Sequence, residues 1–454
     1  MENEKFENLN ELLEKKNYAA FMRAADEMNP VDAADFLTSL PESKQLAVFR
    51  MFKKDVAADI FAELDPEIQE KIISTATDTE ISGMIEDLYI DDAVDMLEEL
   101  PANMVKKILQ VAKPETRSVI NKFLSYPEDS AGSIMTAEFI DLRGTMTVEQ
   151  AIAHIRKTGN EKETVYVAYV TDNSRVLKGT IRLESLLFAD GAALISDVMD
   201  SDFVCAETLD DKESVAATIS KYDLLALPVV DKERRLVGIV TVDDAIDVIE
   251  DEATEDIEMM AAITPTDKPY LKTGVFETWK KRIPWLLLLM VSATFTGQII
   301  SGFEEALSGF PVLIAFIPML MDTGGNSGGQ SSVTVIRGLA LDEIHMRDIF
   351  NVIWKEFRVS IMCGVVLAVC NFVKILVVDN LVFHNNVSPT AALVVCLTLV
   401  VTVVVSKFIG CTLPILAKRI GFDPAVMASP FITTIVDAIS LLIYFAFANM
   451  FLLG

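Results

Sequence analysis

The hydrophobic positions of this chain fall into three rhythms. Residues 1 to about 130 read as helices only, built on a unit that recurs as AADFLTSLP at 33–41, AADIFAELDP at 57–66 and AVDMLEELP at 93–101. Asp35, Asp59 and Asp95 of that unit lie 24 and 36 residues apart, multiples of twelve, the pattern of similar helices stacked into a superhelix around one core. A second repeat follows at a period of 64: SIMTAEFI at 133–140 returns as DVMDSDFV at 197–204, and VYVAYVTDNSRVLKGTIRLESLL returns as LLALPVVDKERRLVGIVTVDDAI. Each copy predicts helix, strand, strand, helix. After residue 280 the apolar residues fuse into five runs, 283–303, 311–338, 352–377, 389–417 and 428–452, each long enough for a tilted membrane helix.

Basic residues mark alternate ends of these runs. Lys280, Lys281 and Arg282 precede the first, Arg337, Arg347, Lys355 and Arg358 surround the second connection, and Lys418 and Arg419 occupy the fourth. The first connection holds Glu304 and Glu305 and no base; the third carries Asp379 and His384, with Lys374 at its helix end. The positive-inside rule then predicts a cytoplasmic N-terminus and a C-terminus outside the cell membrane.

The second run is the least lipid-like. PMLMDTGGNSGGQSSV, 318–333, holds Asp322, Thr323, Asn326, Ser327, Gln330, Ser331, Ser332 and four glycines. Polar sequence of this kind survives at membrane depth only when buried in protein or facing water. Gly324, Gly325, Gly328 and Gly329 also permit close helix packing, and the two readings are compatible: glycines draw helices together while Asn326 and Gln330 face a hydrated seam.

The fifth run, SPFITTIVDAISLLIYFAFANMFLL, sets Asp437 near mid-bilayer, where a carboxylate costs at least about 2.5 kcal/mol. Either the acid is protonated or bonds a neighbouring helix, or it lines a water-filled cation path. Ser429, Thr433 and Asp437 recur every four residues along one face. Asp423 lies fourteen residues before Asp437, close to four turns, which predicts nearly the same side of one helix. Carboxylate, hydroxyl and carbonyl oxygens with retained water suit a hard divalent ion, Mg2+ above all. Pro424 and Pro430 read either as start signals or kinks, or as breaks that free backbone carbonyls near the stripe.

Composition adds a split in charge. Of 454 residues, 51% are hydrophobic, which gives room for several domains including a membrane segment. Residues 1–272 hold 56 Asp and Glu against 28 Lys and Arg and so carry the whole net charge of −28, whereas the remainder holds 11 of each. An acidic front repels nucleic acid and anionic headgroups and attracts cations, although many soluble domains are acidic for solubility alone. Cys205, Cys363, Cys370, Cys396 and Cys411 show no paired Cys/His spacing, so neither a disulfide framework nor a zinc site is predicted. His154, His345 and His384 have no partner at ligand spacing. No GxxxxGK(S/T) loop is present, because DTGGNSGG lacks the lysine and lies in a span, and an enzyme is not expected. The opening MENEKFENLNELLEKK has no apolar core for a cleavable secretory signal, which predicts that the acidic front stays in the cytosol.

Residues 243–263, DDAIDVIEDEATEDIEMMAAI, form a helix-prone stretch whose acids repel one another at three- and four-residue spacing. It is a solvated connector or a switch whose acidic faces separate when bound divalent cations leave. The strand-turn-strand units ending Gly-x-(Ile/Val)-x-x-(Glu/Asp) resemble the CBS module. With YPEDSAGSIMT, EDEATEDI, DTGGNSGGQS and GFDPAVMASPFITTIVDAISLLIYF added, nearly the whole chain resembles the MgtE family of magnesium channels.

The resemblance implies a multidomain homodimer: an all-α superhelical N domain at 1–130, an α/β tandem CBS pair at 131–250, a plug or connecting helix at 251–280 and an α-helical membrane domain with five transmembrane helices at 281–454. It implies Mg2+-selective uptake through a pore on the dimer axis that closes when cytosolic Mg2+ is plentiful. Asp437 matches the family's pore carboxylate and Asp423 the acid at the inner mouth, with Thr433 and Ser429 on the same stripe. Glu252, Glu255 and Asp256, beside Asp251, fall on the plug-helix acids. Glu213, Asp223, Asp244 and Asp247 fall on CBS positions used for regulatory Mg2+, with Asp91 and Asp95 as N-domain partners. Some members bind ATP between the CBS units, so ATP is a candidate ligand.

Two departures stand out. Many members have a second Asn where this chain has Gly329, and an Asn where it has Ser429; the shorter Ser offers one oxygen, which bears on selectivity over Mn2+ or Co2+. A proton- or sodium-coupled divalent cation carrier is the alternative, and its flux would collapse without the coupling ion. A membrane-anchored sensor without transport would have no need for Asp437.

Overall fold

The structure, a computed structural model, describes residues 2–266, 270–303, 310–341, 343–427 and 429–453, without the side chains of 2–4, 55, 429 and 453. It divides into two compact units, residues 1–249 and 250–454.

Ten helices, α1 to α10, fill Glu2–Phe123 of the first unit. The three copies of the sequence repeat are α3 (Pro30–Ser39), α5 (Lys54–Ala62) and α8 (Ile90–Glu99). Asn29 caps α3 by accepting from Val31 N, with Pro30 at the first turn, where a missing N–H costs nothing. All three helices bury the same side: Ala33, Phe36 and Leu37; Ala58, Ile60 and Phe61; Ala93, Met96 and Leu97 share one continuous core. Each large apolar side chain buried there contributes about 1.5–3 kcal/mol, and the repeat Asp35, Asp59 and Asp95 point outward from it.

Two α/β modules follow. β1 (Ile140–Arg143), β2 (Val167–Thr171) and β3 (Leu177–Arg182) form a sheet of that order, β1 parallel to β2 and β2 antiparallel to β3. β4 (Ala206–Glu207), β5 (Ala226–Val230) and β6 (Leu236–Thr241) repeat the order and the pairing, down to a register shift at the same point of each hairpin. Sequence reading lacks β1 and β4, which at four and two residues are too short to show alternation. Helices α11 (Val148–Thr158), α12 (Leu183–Phe188), α13 (Ile195–Val198) and α14 (Lys212–Lys221) complete the modules. The leading segments are exchanged: Thr136 bridges Ile239 on β6, and Asp200 bridges Thr180 on β3. That exchange explains the motif glycines, since a Cβ at Gly179 would lie 2.7 Å from Asp200 O and one at Gly238 would lie 2.8 Å from Thr136 O.

Helix α15 (Val242–Met260) is continuous despite its acids. Beyond it, α16 (Val275–Gly302), α17 (Ile317–Ala340), α18 (Ile349–Lys374), α19 (Pro389–Arg419) and α20 (Ser429–Ala448) occupy the five apolar runs. By length and composition, four described stretches suit a membrane: Val275–Gly302, Met346–Val382, Pro389–Arg419 and Pro424–Leu452. The 24-residue α17 has the length but is too polar, and it is packed between α19 and α20. Side-chain neighbours give the directions. Gly324 meets Thr402, Gly328 meets Ser406 and Leu339 O accepts from Lys418 Nζ, so α17 and α19 run parallel. Gly324 meets Ser440 and Ser332 reaches Met427 O, so α20 runs against α17.

Candidate cation pathway and cytosolic acid cluster

Helix α17 has two unlike sides. On the packed side a Cβ at Gly324 would lie 2.9 Å from Ser440, Thr402 and Val436, one at Gly325 would strike Thr433 at 2.1 Å, and one at Gly328 would meet Ile432 at 2.8 Å. A Cβ at Gly410 of α19 would sit 2.2 Å from Gly328 O, so these glycines set the interhelical distances. The other side carries Asp322, Asn326 and Gln330 at four-residue spacing, all exposed in the single chain, with Asn326 Nδ2 donating to Asp322 Oδ1 at 3.0 Å.

Asp437 lies eight residues into α20. Its Oδ1 is buried with no hydrogen-bond partner among the described residues, and Asp322 is near enough to act on it through its charge. Asp379, by contrast, meets Lys374 Nζ at 3.0 Å. Thr433 lies one turn before Asp437, half-buried against Gly325. Ser429 opens α20, and its side chain lies outside the described residues.

Asp423 departs from expectation: it is not on the helix that carries Asp437. Gly421 takes a φ of +81°, Pro424–Met427 forms a 3-10 turn, and α20 begins only at Ser429. Counting helical turns back from Asp437 therefore does not place Asp423. Its exposed carboxylate instead accepts from Ala425 N at 2.7 Å, capping the 3-10 turn. Pro424 and Pro430 both open their helical segments and kink neither.

Several polar groups of the membrane unit escape a reading of the sequence. Thr402 Oγ1 and Ser406 Oγ are buried on α19 without partners among the described residues. Glu356 of α18 and Lys407 of α19 form an ion pair at 3.6 Å. Glu356 sits between Lys355 and Arg358 in sequence, and Lys407 beside Ser406, so the partner of each emerges only from the packing.

In the first unit, acids from distant segments converge. Burial, then the charges of Asp92, Asp244 and Glu163, hold the Asp91 carboxyl well above the usual range. Burial followed by Asp244, Glu63 and Asp59 pushes Asp92 up to about 6. Asp95 is exposed at the α8 surface, and crowding by its surroundings, followed by the charges of Glu98 and Asp92, pushes it to about 7. Burial followed by Asp244, Asp92 and Asp243 pushes Glu163 to about 7. Asp244 is raised by burial, opposed by a 2.5 Å hydrogen bond from Thr241 Oγ1.

Asp91, Asp95 and Asp244 are thus brought together, and Asp247 acts on Asp244 and Glu63. Asp92 and Glu163 are members that sequence reasoning missed, because their neighbours lie in other domains of the sequence. Glu213 is exposed at the start of α14, and Asp223 is exposed in a left-handed turn after it (φ 51°). Asp251 is exposed on α15, with Glu252, Glu255 and Asp256 half-buried there. Among the described residues, no three His, Cys, Asp or Glu side chains are arranged to hold a metal ion directly.

Residues 317–447 match the family model of the divalent cation transporter MgtE, 28–129 that of the MgtE intracellular N domain, and 195–251 that of the CBS domain. The chain is 34% identical over 449 residues to the magnesium transporter MgtE of Thermus thermophilus, covering 98% of both chains. The chain belongs to the MgtE family of divalent cation transporters. The Bacillus subtilis magnesium transporter MgtE is 32% identical over 436 residues, covering 95% of this chain and 94% of its own. The soluble part of a magnesium transporter superposes with a TM-score of 0.54 at 32% identity, covering 56% of this chain and 100% of that one. The cytosolic domain of the Mg2+ channel MgtE in complex with ATP gives 0.50 at 34% identity, covering 53% and 98%.

An MgtE protein is a multi-pass membrane transporter rather than an enzyme, which agrees with the missing nucleotide-hydrolysis loop. The MgtE transporter region begins with α17 and ends within α20, and so contains both Asp322 and Asp437.

Proposed function

We propose that this chain forms a homodimeric Mg2+ channel or transporter for magnesium uptake, its path running between two copies along the polar side of α17 and the Asp437 face of α20. The observation that carries this reading is a buried carboxylate oxygen without a hydrogen-bond partner among the described residues, set within a membrane helix and near enough to a second carboxylate, Asp322, to feel its charge. Two like charges at that depth attract a cation strongly, because the low dielectric amplifies both their repulsion and its relief. Mg2+ keeps much of its water, so carboxylate, amide and hydroxyl groups at Asp437, Thr433, Asn326 and Gln330 bind it at second hand. The exposed stripe of α17 supports a path shared with a second copy, and Asp423 and Ser429 stand towards its inner mouth. The alternating helix directions, combined with the basic connections, favour a cytoplasmic N-terminus and an external C-terminus.

Regulation belongs to the acid clusters. Mg2+ held near Asp91, Asp95, Asp244 and Asp247 relieves their repulsion, with Glu213, Asp223, Asp251, Glu252, Glu255 and Asp256 as further regulatory positions along the CBS pair and α15. When cytosolic Mg2+ falls, the acids repel and the closed arrangement loses its support. The CBS pair takes ATP, a reading supported by the similar cytosolic domain that binds it.

A divalent ion gains about 4.6 kcal/mol per 100 mV of membrane potential, so a channel needs no coupling ion. Purified protein in liposomes with an imposed inside-negative potential is expected to take up Mg2+ with no Na+ or pH gradient present, and Asp437→Ala to abolish that uptake. Uptake that vanishes without Na+ or a pH gradient would make the protein a coupled carrier. Normal uptake by a folded Asp437→Ala protein would remove the pathway.

A further inference from the structure

On the packed side of α17, opposite the polar stripe, Ser331 meets two charged side chains that the proposed path does not use. Ser331 Oγ donates to Glu356 Oε2 of α18 at 2.5 Å. Lys407 Nζ of α19 donates to the same hydroxyl at 3.1 Å and lies 3.6 Å from Glu356 Oε2. Ser331 is fully covered, and the Lys407 and Glu356 side chains are 6% and 14% exposed. Both charges lie well inside their helices, seven residues into α18 and eighteen into α19.

The packing around Ser331 explains what such a group can do. Between Gly324 and Gly329 the packed side of α17 consists of glycines and Ser327, which bring backbones close but have little shape to resist rotation about the helix axis. A hydrogen bond to a charged partner is directional, and in a low-dielectric site it is strong. Ser331 supplies that directional contact, and Gln330 of the stripe is its immediate neighbour in sequence. A rotation of α17 that broke the Ser331 contacts would swing Asp322, Asn326 and Gln330 with it. The pairing also matters for charge, since Glu356 neutralises a lysine that would otherwise be an uncompensated buried positive charge.

We infer that Ser331, Glu356 and Lys407 are positioning residues that fix the rotation of α17 and thereby set how its Asp322–Asn326–Gln330 stripe selects and binds the passing ion. This rests on the pathway proposed above. The three residues touch no ion; they act through the helix that does.

The test uses the full-length protein in liposomes, reading the half-saturating Mg2+ concentration and the Mg2+/Co2+ flux ratio alongside the thermal midpoint. Ser331→Ala keeps the ion pair and removes only the directional link to α17. It should leave yield at the wild-type value and lower the thermal midpoint only by the few degrees that one lost hydrogen bond costs, while moving the half-saturation or the flux ratio by roughly three- to thirtyfold. Glu356→Gln should move them further in the same direction, and the charge-exchanged E356K/K407E protein, which keeps one acid and one base against the hydroxyl, should recover most of the wild-type ratio. Wild-type half-saturation and flux ratio in Ser331→Ala would overturn the inference, whether or not Glu356→Gln folds. Asp437→Ala serves as the control: if it abolishes flux while Ser331→Ala changes nothing, the pathway stands and the positioning role falls.

Discussion

At the scale of single residues, the chain places carboxylates where they are costly. Asp91 is buried among acids, and burial is the largest cause of its raised carboxyl. A carboxyl that binds its proton more tightly folded than unfolded favours folding at low pH, and that contribution is lost as pH rises through the folded value. For Asp92, at about 6, and Asp95 and Glu163, at about 7, the loss falls between the usual carboxylate range and neutrality. The protection factors of the α8 amides, exchange corrected for its intrinsic rise with pH, should therefore fall in Mg2+-free full-length protein as pH is raised from about 5 to about 8, and millimolar Mg2+ should flatten that fall. Asp91→Asn removes one buried charge; it should slow exchange at pH 8 without Mg2+ and weaken the protection that Mg2+ adds. Faster exchange in that variant at pH 8 would mean that Asp91 is held by a partner rather than strained by its neighbours.

Among the elements, the glycines of α17 and α19 decide more than their size indicates. Gly410 faces a backbone carbonyl, Gly328 O, which unlike a side chain cannot swing aside. Gly410→Ala should push the two helices apart and cost about 1–3 kcal/mol, read as a lowered unfolding midpoint of the detergent-solubilised protein. An unchanged midpoint would show that the two helices separate at this point without cost.

Elements also show how far the sequence could be read. The five long helices were legible because apolar runs of that length have few alternatives, and the three N-terminal repeats because their buried positions recur in register. Strands β1 and β4 were not, being too short to carry a period. Asp437 was legible as an acid in an apolar run, whereas Lys407 and Glu356 acquire their meaning only from each other. The misplacement of Asp423 came from running one helix from Asp423 to Asp437 across Pro424–Met427, which is a 3-10 turn ahead of α20.

In the whole molecule, the proposed acidic sensor and cation path are connected along the chain by α15, whose residues Val242–Met260 straddle the division between the two units. If Mg2+ holds the acids of this region together, limited proteolysis within 243–263 should be slow in Mg2+ and fast in chelator, with the cleavage midpoint near the Mg2+ concentration that halves flux. Cleavage insensitive to Mg2+ would detach regulation from this helix. Both sets of acids would then follow one rule, in which clustered carboxylates are tolerated because a hydrated divalent ion comes to them.

The most direct measurement is Mg2+ current across a planar bilayer holding Asp437→Asn, which keeps the shape of the side chain and removes only its charge. The predicted result is a folded protein of wild-type oligomeric size whose Mg2+ current falls at least about tenfold, the effect expected when a charge that stabilises the permeating ion by more than about 1.4 kcal/mol is lost. Mg2+ current of wild-type size in that variant would contradict the account.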